Sequence, residues 1–197
     1  MSSKKSRRIT NFSFPEGTVL SSKYQIVRQL GSGWEGEVYI VREVLTGIER
    51  AAKFFYPHRN LSNKTLKFYA KKLYKLRACT ALIQYITQES MSYKGTSVHY
   101  LISEYVEGET LDQFLRKQKG KRLGSFQGLH LLYALVSALE EIHRLKEYHG
   151  DLHDSNIIIS RYGLGFELKL IDVFHWGSAS PENIRGDLCD AVRVLRR

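Results

Sequence analysis

One short stretch concentrates the reactive side chains of this 197-residue chain: His149-Gly150-Asp151-Leu152-His153-Asp154-Ser155-Asn156, followed by Asp172 at the end of an apolar run. The stretch offers a carboxylate, an imidazole and a carboxamide on one loop, with a second carboxylate further on. Oxygen donors of this kind suit Mg²⁺ held together with a phosphate. A further Asp can orient or deprotonate an attacking hydroxyl. Polar loops also collect Asp and Asn for turn reasons alone, so the loop decides nothing until its surroundings are read.

Several elements must position these groups. Ile157-Ile158-Ile159 follows the loop directly, and Leu168 to Ile171 leads into Asp172. Both runs are short and apolar, as buried strands are. Upstream, Leu129, Leu132, Val136, Leu139 and Ile142 recur at helical spacing, with Ser125 available as the cap. That stripe reads as core packing on a helix that delivers the loop. Leu111 to Lys119 forms a shorter helix, and Asp187 to Arg197 a last amphipathic one.

The N-terminal half has a β pattern. Tyr24, Ile26 and Leu30 alternate with polar residues, and Gly31-Ser32-Gly33-Trp34-Glu35-Gly36-Glu37-Val38 follows. Tyr39, Val41 and Val44 lead to a turn at Thr46-Gly47, and a third strand carries Ala51-Ala52-Lys53-Phe54. Glycines spaced in this way let backbone N–H groups approach phosphates with no Cβ in between. Dinucleotide-binding folds use the same letters, but there a helix follows them. Here the β-rich Glu37-Val38-Tyr39-Ile40-Val41 follows, and that reading fails.

From Ser62 to Thr80, Leu66, Tyr69, Leu73 and Leu76 mark an amphipathic helix. Its other faces carry Lys64, Lys67, Lys71, Lys72, Lys75 and Arg77, and it holds no carboxylate. Long cationic stems often cover core edges, so a solvated face is favoured over a nucleic-acid or membrane docking surface. Ile83 to Thr87 and Val98 to Ser103 are two further strands joined around Lys94-Gly95. Glu104-Tyr105-Val106-Glu107-Gly108 then breaks the pattern like a hinge.

Composition sets the outer bounds. The length fits one domain or two lobes sharing a cleft, and 43% hydrophobic with 25% charged residues is ordinary for a globular chain. Two cysteines, Cys79 and Cys189, make no disulfide framework, which predicts a reducing, cytoplasmic setting. No apolar run approaches the ~20 residues of a membrane span, and the basic start lacks a signal-peptide core. A net charge of +10 would attract nucleotides and other polyanions; nucleic acid is the weaker of those readings. Residues 1–17 are expected to form a basic flexible tail.

In order and spacing, these pieces resemble a protein kinase of the eukaryotic-like Ser/Thr superfamily from about Leu20 onward. Leu30, Gly31, Ser32, Gly33, Gly36 and Val38 match its glycine-rich loop over ATP, and Ala51 and Lys53 match the strand whose lysine contacts the α- and β-phosphates. Ser103-Glu104-Tyr105-Val106 is similar to the hinge, with Glu104 and Val106 offering backbone hydrogen bonds to adenine. His149-Gly150-Asp151 with Asn156 resembles the catalytic loop, and Asp172 the metal-binding aspartate. The resemblance implies an α+β, bilobal fold, with a β-rich N-lobe bearing one helix over residues 18–107. A shortened, mostly helical C-lobe follows over residues 108–197. It implies ATP and Mg²⁺ as cofactors, Asp151, Lys53 and Asn156 as catalytic residues, and Asn156 and Asp172 as metal ligands.

The departures shape the expected function. His149-Gly150-Asp151-Leu152-His153 stands where most protein kinases have H-R-D-L-K, and His153 is similar to aminoglycoside- and choline-kinase-like enzymes. Asp172-Val173-Phe174 replaces D-F-G. Tyr69 falls where the helix glutamate that pairs the lysine belongs. Lys53 is therefore expected to be held by Asp172 or by nucleotide, with Glu89 the next carboxylate in sequence. The chain also stops at the helix after a short segment ending in Pro181-Glu182, so a homodimer or a partner protein is expected over the shortened lobe. The reading is a Ser/Thr protein kinase acting on a protein hydroxyl. The alternatives are a small-molecule kinase, or a pseudokinase serving as a nucleotide-binding regulatory module.

Overall fold

The computed structural model describes residues 8–162, 165–173 and 177–196. Residues 1–7 of the expected tail, and Phe174 of the D-F-G-like triplet, lie outside them. Within the described residues the α+β expectation holds, and the chain divides into two units, Met1–Lys71 with Tyr85–Tyr105 and Lys72–Gln84 with Val106–Arg197. The division departs from the single boundary at 107/108 read from the sequence, because residues 72–84 join the second unit.

The first unit is built on strands β1 (Val19–Leu20), β2 (Tyr24–Ser32), β3 (Gly36–Glu43), β4 (Glu49–Phe55), β5 (Tyr85–Tyr93) and β6 (Thr96–Glu104). They form one antiparallel sheet in the order β1-β2-β3-β4-β6-β5. Between β4 and β5 lies α1 (Lys64–Lys75), whose last turn belongs to the second unit. Register assigns the faces. Val38 stands opposite Lys53, Ile40 opposite Ala51, Ala51 opposite Ser103 and Gly31 opposite Val38. Directly paired residues share a face, so Gly31, Val38, Ala51, Lys53 and Ser103 line one side of the sheet. The other side carries Ile26, Tyr39, Val41, Ala52, Phe54, Tyr100 and Ile102, an apolar core.

An apolar sheet face needs a cover, and residues 9–14 supply it. For these residues the expectation of a flexible tail is corrected. Phe12 and Phe14 are only 2% and 8% exposed, their rings stacked 5.4 Å apart, and Phe14 lies 4.9 Å from Phe54. Burying an aromatic side chain of this size contributes about 2–3 kcal/mol, which outweighs the tail's polar, basic character. A buried carboxylate fastens the strap: Glu37 accepts the Phe12 N–H at 2.8 Å and the Tyr56 hydroxyl at 3.0 Å, with the Tyr39 hydroxyl as a further donor. Burial and this carboxylate push the Tyr56 phenol up to about 12.

The second unit holds β7 (Glu109–Thr110), α2 (Leu111–Lys117), α3 (Ser125–Arg144), β8 (Ile157–Tyr162), β9 (Gly165–Leu170) and α4 (Pro181–Leu195). Strands β7, β8 and β9 pair antiparallel in that order. Thr110 caps α2, accepting the Gln113 N–H while Gln113 accepts the Thr110 N–H; this reciprocal box is a strong start signal. Gly124 rather than Ser125 precedes the first helical residue of α3, with its N–H bonded to Gln127 at 3.1 Å. The stripe assigned to the core is corrected in part: Leu139 and Ile142 are buried as expected, but Leu129 and Val136 are exposed. Leu131, Leu135, Ala138, Leu139 and Ile142 are buried, whereas Phe126, Leu129, Tyr133 and Val136 are exposed. The helix is apolar on two stripes, and only one can face a single-sided core. Helix α4 begins at Pro181 under a Ser180 cap, so Pro181-Glu182 opens a helix instead of closing a loop.

Two cations of α1 serve the second unit internally. Lys72 is buried, its Nζ 3.9 Å from Glu147 and 4.8 Å over the Tyr148 ring, and burial pulls its pKa down. Lys75 pairs with Glu147 at 2.7 Å. Among the described residues no helix is long and apolar enough to cross a membrane.

Candidate active site

The loop after α3 is fixed from below by a residue that sequence reasoning passed over. Asp187, on α4, has no exposed side-chain surface. Its Oδ2 accepts the His149 N–H and its Oδ1 the Gly150 N–H, both at 2.8 Å, and His143 Nε2 lies 2.9 Å from Oδ2. Gly150 adopts φ +84°, in the left-handed region that favours glycine, and this turns its N–H toward Asp187. One signal was available. Asp187, Ala191 and Val194 are the buried residues of α4, and an acid on an otherwise apolar stripe implies buried donors waiting for it.

Asp151 then stands outward with 59% of its side chain exposed. Asn156 is buried, and its Nδ2 donates to the Asp151 carbonyl at 2.9 Å and to Oδ2 at 3.3 Å. The Ile171 N–H donates to the Asn156 carbonyl at 3.0 Å, which sets Asp172 next to the loop that carries Asn156. Asp172 takes φ +56°, a conformation that costs a non-glycine residue about 1 kcal/mol and that Asp tolerates better than most. His153 Nε2 lies 3.7 Å from Asp151 Oδ2. The unit thus brings Asp151, His153 and Asn156 together and places the Asp172 backbone alongside. Among the described residues no group of three His, Cys, Asp or Glu could hold a metal by itself. Mg²⁺ usually takes only one or two protein oxygens, with phosphate and water supplying the rest. A carboxamide oxygen on Asn156 and a carboxylate on Asp172 have the right hardness for that arrangement.

In the first unit, β2 and β3 meet in a tight hairpin. The Gly33 N–H donates to the Gly36 carbonyl and the Tyr56 N–H to the Glu35 carbonyl, both at 2.9 Å. A Cβ on Gly36 would lie 1.7 Å from the Phe54 carbonyl oxygen, so strand packing demands that glycine. Around Gly31 and Gly33 a Cβ would meet nothing within 4 Å. Lys53 Nζ lies 3.2 Å from Glu35 Oε2, in a pair whose side chains are 12% and 14% exposed. It also sits 4.7 Å over the Tyr69 ring and 5.8 Å over Phe55. Tyr69 therefore occupies the place beside the lysine that alignment assigned to it. The carboxylate that this unit sets against Lys53 is Glu35, which was not among those considered. Glu89 pairs instead with Lys23, at 2.6 Å. The remaining residues of the set are placed as follows: Leu30 and Ser32 are exposed on β2, Glu104 ends β6, and Val106 opens the longer segment of the second unit.

His149 makes the loop pH-sensitive. Its ring is fully buried, and that burial pulls the pKa from 6.5 to about 4, against the raising influence of Asp187, Asp151 and Asp172 and with the help of Lys72. The Asp151 N–H donates to Nδ1 at 3.3 Å, which requires the neutral ring. The unfolded chain binds this proton below about 6.5 and the folded chain only below about 4. The group's stabilisation is therefore complete above pH 6.5 and lost as pH falls toward 4. The loss amounts to about 3 kcal/mol. Urea unfolding at both pH values should show a fall larger by about this amount in the wild type than in His149→Phe. Equal falls in the two proteins would remove His149 as the cause.

Comparison with known proteins extends the picture. A protein kinase domain family model matches residues 24–189. The chain is 26% identical over 190 residues to the serine/threonine-protein kinase PrkC of Bacillus subtilis, covering 87% of this chain and 28% of that protein. It is 27% identical over 175 residues to an Aurora kinase of Schizosaccharomyces pombe, covering 87% and 46% respectively. The fold is similar to the kinase domain of PknI from Mycobacterium tuberculosis, with TM-score 0.62, 17% identity, and coverage of 83% of this chain and 64% of that one. The chain thus spans less than half of either relative.

Proposed function

Because the chain belongs to the protein kinase family, we propose that it transfers the γ-phosphate of ATP, with Mg²⁺, to a hydroxyl, foremost a Ser or Thr of a protein. The observation that carries this reading is the exposed Asp151 carboxylate on a loop bolted at His149 and Gly150 and clamped by Asn156. An acid presented so rigidly can accept a hydrogen bond from an acceptor hydroxyl and hold its oxygen for in-line attack. Lys53 would steady the phosphates, and the backbone of Gly31 and Gly33 would lie along them. Glu104 and Val106 would offer backbone groups to adenine. Asn156 and Asp172 would hold Mg²⁺, which neutralises phosphate charge when bound. The chain's own contribution is position and fixed charge.

A second reading rests on a cavity of about 280 Å³ lined by Asp151, His153, Asp154, Asp190 and Arg193 among others. It lies beside Asp151 and suits a small hydroxyl compound. Incubation with γ-labelled ATP and Mg²⁺, with generic protein acceptors and with a metabolite extract, separates the readings. Label on protein is the expected result, and label on a metabolite selects the second reading. Binding of ATP without any transfer would leave a nucleotide-binding regulatory module.

A further inference from the structure

In a protein kinase the lysine that contacts the phosphates is held by a glutamate on the neighbouring helix. Helix α1, Lys64–Lys75, has no acidic residue at all. The place beside Lys53 on that helix is taken by the Tyr69 ring, 4.7 Å from Nζ. An aromatic face attracts an ammonium by about 0.5–2 kcal/mol, but it neither neutralises the charge nor fixes direction as a carboxylate does. Glu35, at the tip of the glycine hairpin, supplies what the helix lacks.

We propose that Glu35 is the residue that positions Lys53 for phosphate transfer, so that the lysine is tied to the glycine loop instead of to the helix. This rests on the phosphotransferase reading above. Three features make Glu35 a built partner rather than a passing surface contact. The pair is mostly removed from solvent, at 12% and 14% side-chain exposure, with 3.2 Å between Nζ and Oε2. The Glu35 backbone is anchored, its carbonyl accepting the Tyr56 N–H at 2.9 Å. Its neighbour Trp34 is stacked under the Arg59 guanidinium at 3.7 Å, so both tip residues are held to the segment after β4. A Cβ on Gly31 or Gly33 would meet nothing within 4 Å, so the loop backbone there is open to a ligand. A carboxylate fixed in this way either holds Lys53 ready for phosphate or plugs the phosphate site, and nucleotide binding separates the two.

Comparing the full chain with Glu35→Gln, Glu35→Asp and Lys53→Ala tests this. Turnover of ATP-Mg on a generic protein acceptor should fall about 10- to 100-fold in kcat for Glu35→Gln, with a much smaller change in KM. Glu35→Asp, which keeps the charge, should recover most of that loss. In nucleotide-free protein, acylation of the Lys53 amine, read by mass spectrometry, should become several-fold faster in Glu35→Gln, because the ammonium loses a mostly buried counter-charge 3.2 Å away. Unchanged acylation and unchanged kcat in Glu35→Gln overturn the inference. So does tighter ATP-Mg binding with faster transfer, which would make Glu35 a plug. If acylation responds as expected while the wild type neither binds nor turns over ATP-Mg, the pairing stands and the phosphotransferase reading falls.

Discussion

Asp151→Asn is expected to bind ATP-Mg as the wild type does and to lose phosphate transfer by roughly 10²–10⁴-fold, the usual worth of a positioned acid or base. Asp172→Asn is expected to lose the binding itself. The two carboxylates are asked to do different things. Asp151 is largely exposed, and its ties to the loop are its backbone groups and the Asn156 Nδ2 contacts. An Asn side chain keeps an oxygen for the same donor, so the loop should keep its shape while losing the acceptor for a hydroxyl proton. Asp172 is placed by the Ile171 N–H to the Asn156 carbonyl, and its neutral amide would remove the charge that a divalent ion needs. Thermal shift with ATP-Mg reads the binding, and labelled transfer reads the chemistry. If both variants keep both properties, neither carboxylate belongs to a phosphotransfer site.

These two groups were legible in the sequence because the chemistry that marks them is local. Asn156 reaches Asp151 across five residues, and Asp172 closes an apolar strand. The glycine hairpin could be told from a dinucleotide loop by the strand that follows it, and Lys53 stood out as a charge within an apolar run. What was missed depends on distance or on a choice between faces. Asp187 reaches the His149 N–H across 38 residues of chain, and no local pattern links them. Glu35 lies among the glycine letters, and only the folded hairpin, tied to Tyr56 through the Glu35 carbonyl, brings its side chain to Lys53. Phe12 and Phe14 alternate as a strand's residues do, but a basic start masked them. In α3, periodicity found apolar positions correctly and could not say which stripe meets the core. At α4 the Ser180-Pro181 start signal was present and was given to the preceding loop instead.

The larger stability effect belongs to Asp187. Asp187→Ala would leave the His149 and Gly150 N–H groups without an acceptor and would strip His143 Nε2 of its partner. A buried donor left unsatisfied costs about 1–3 kcal/mol, and breaking a buried charged network from one side costs about 3–5 kcal/mol in total. Domains are stable by only about 5–15 kcal/mol, so this single change should consume a large part of the margin. For a chain of this size each kcal/mol corresponds to about 2–4 °C, which puts the expected fall in Tm near 10 °C or beyond. Glu140→Ala is the control, since its pair with Arg144 is exposed on both sides and should matter by less than about 1 kcal/mol. Gly150 needs the same acceptor to hold its left-handed turn, so transfer should fall in Asp187→Ala even at temperatures where the protein remains folded. Asp187→Asn should lie between, because one amide oxygen can still accept while the NH₂ group opposes the second donor. A Tm for Asp187→Ala no lower than that of Glu140→Ala would mean that the loop is held elsewhere, and the anchoring role of α4 would be lost with it.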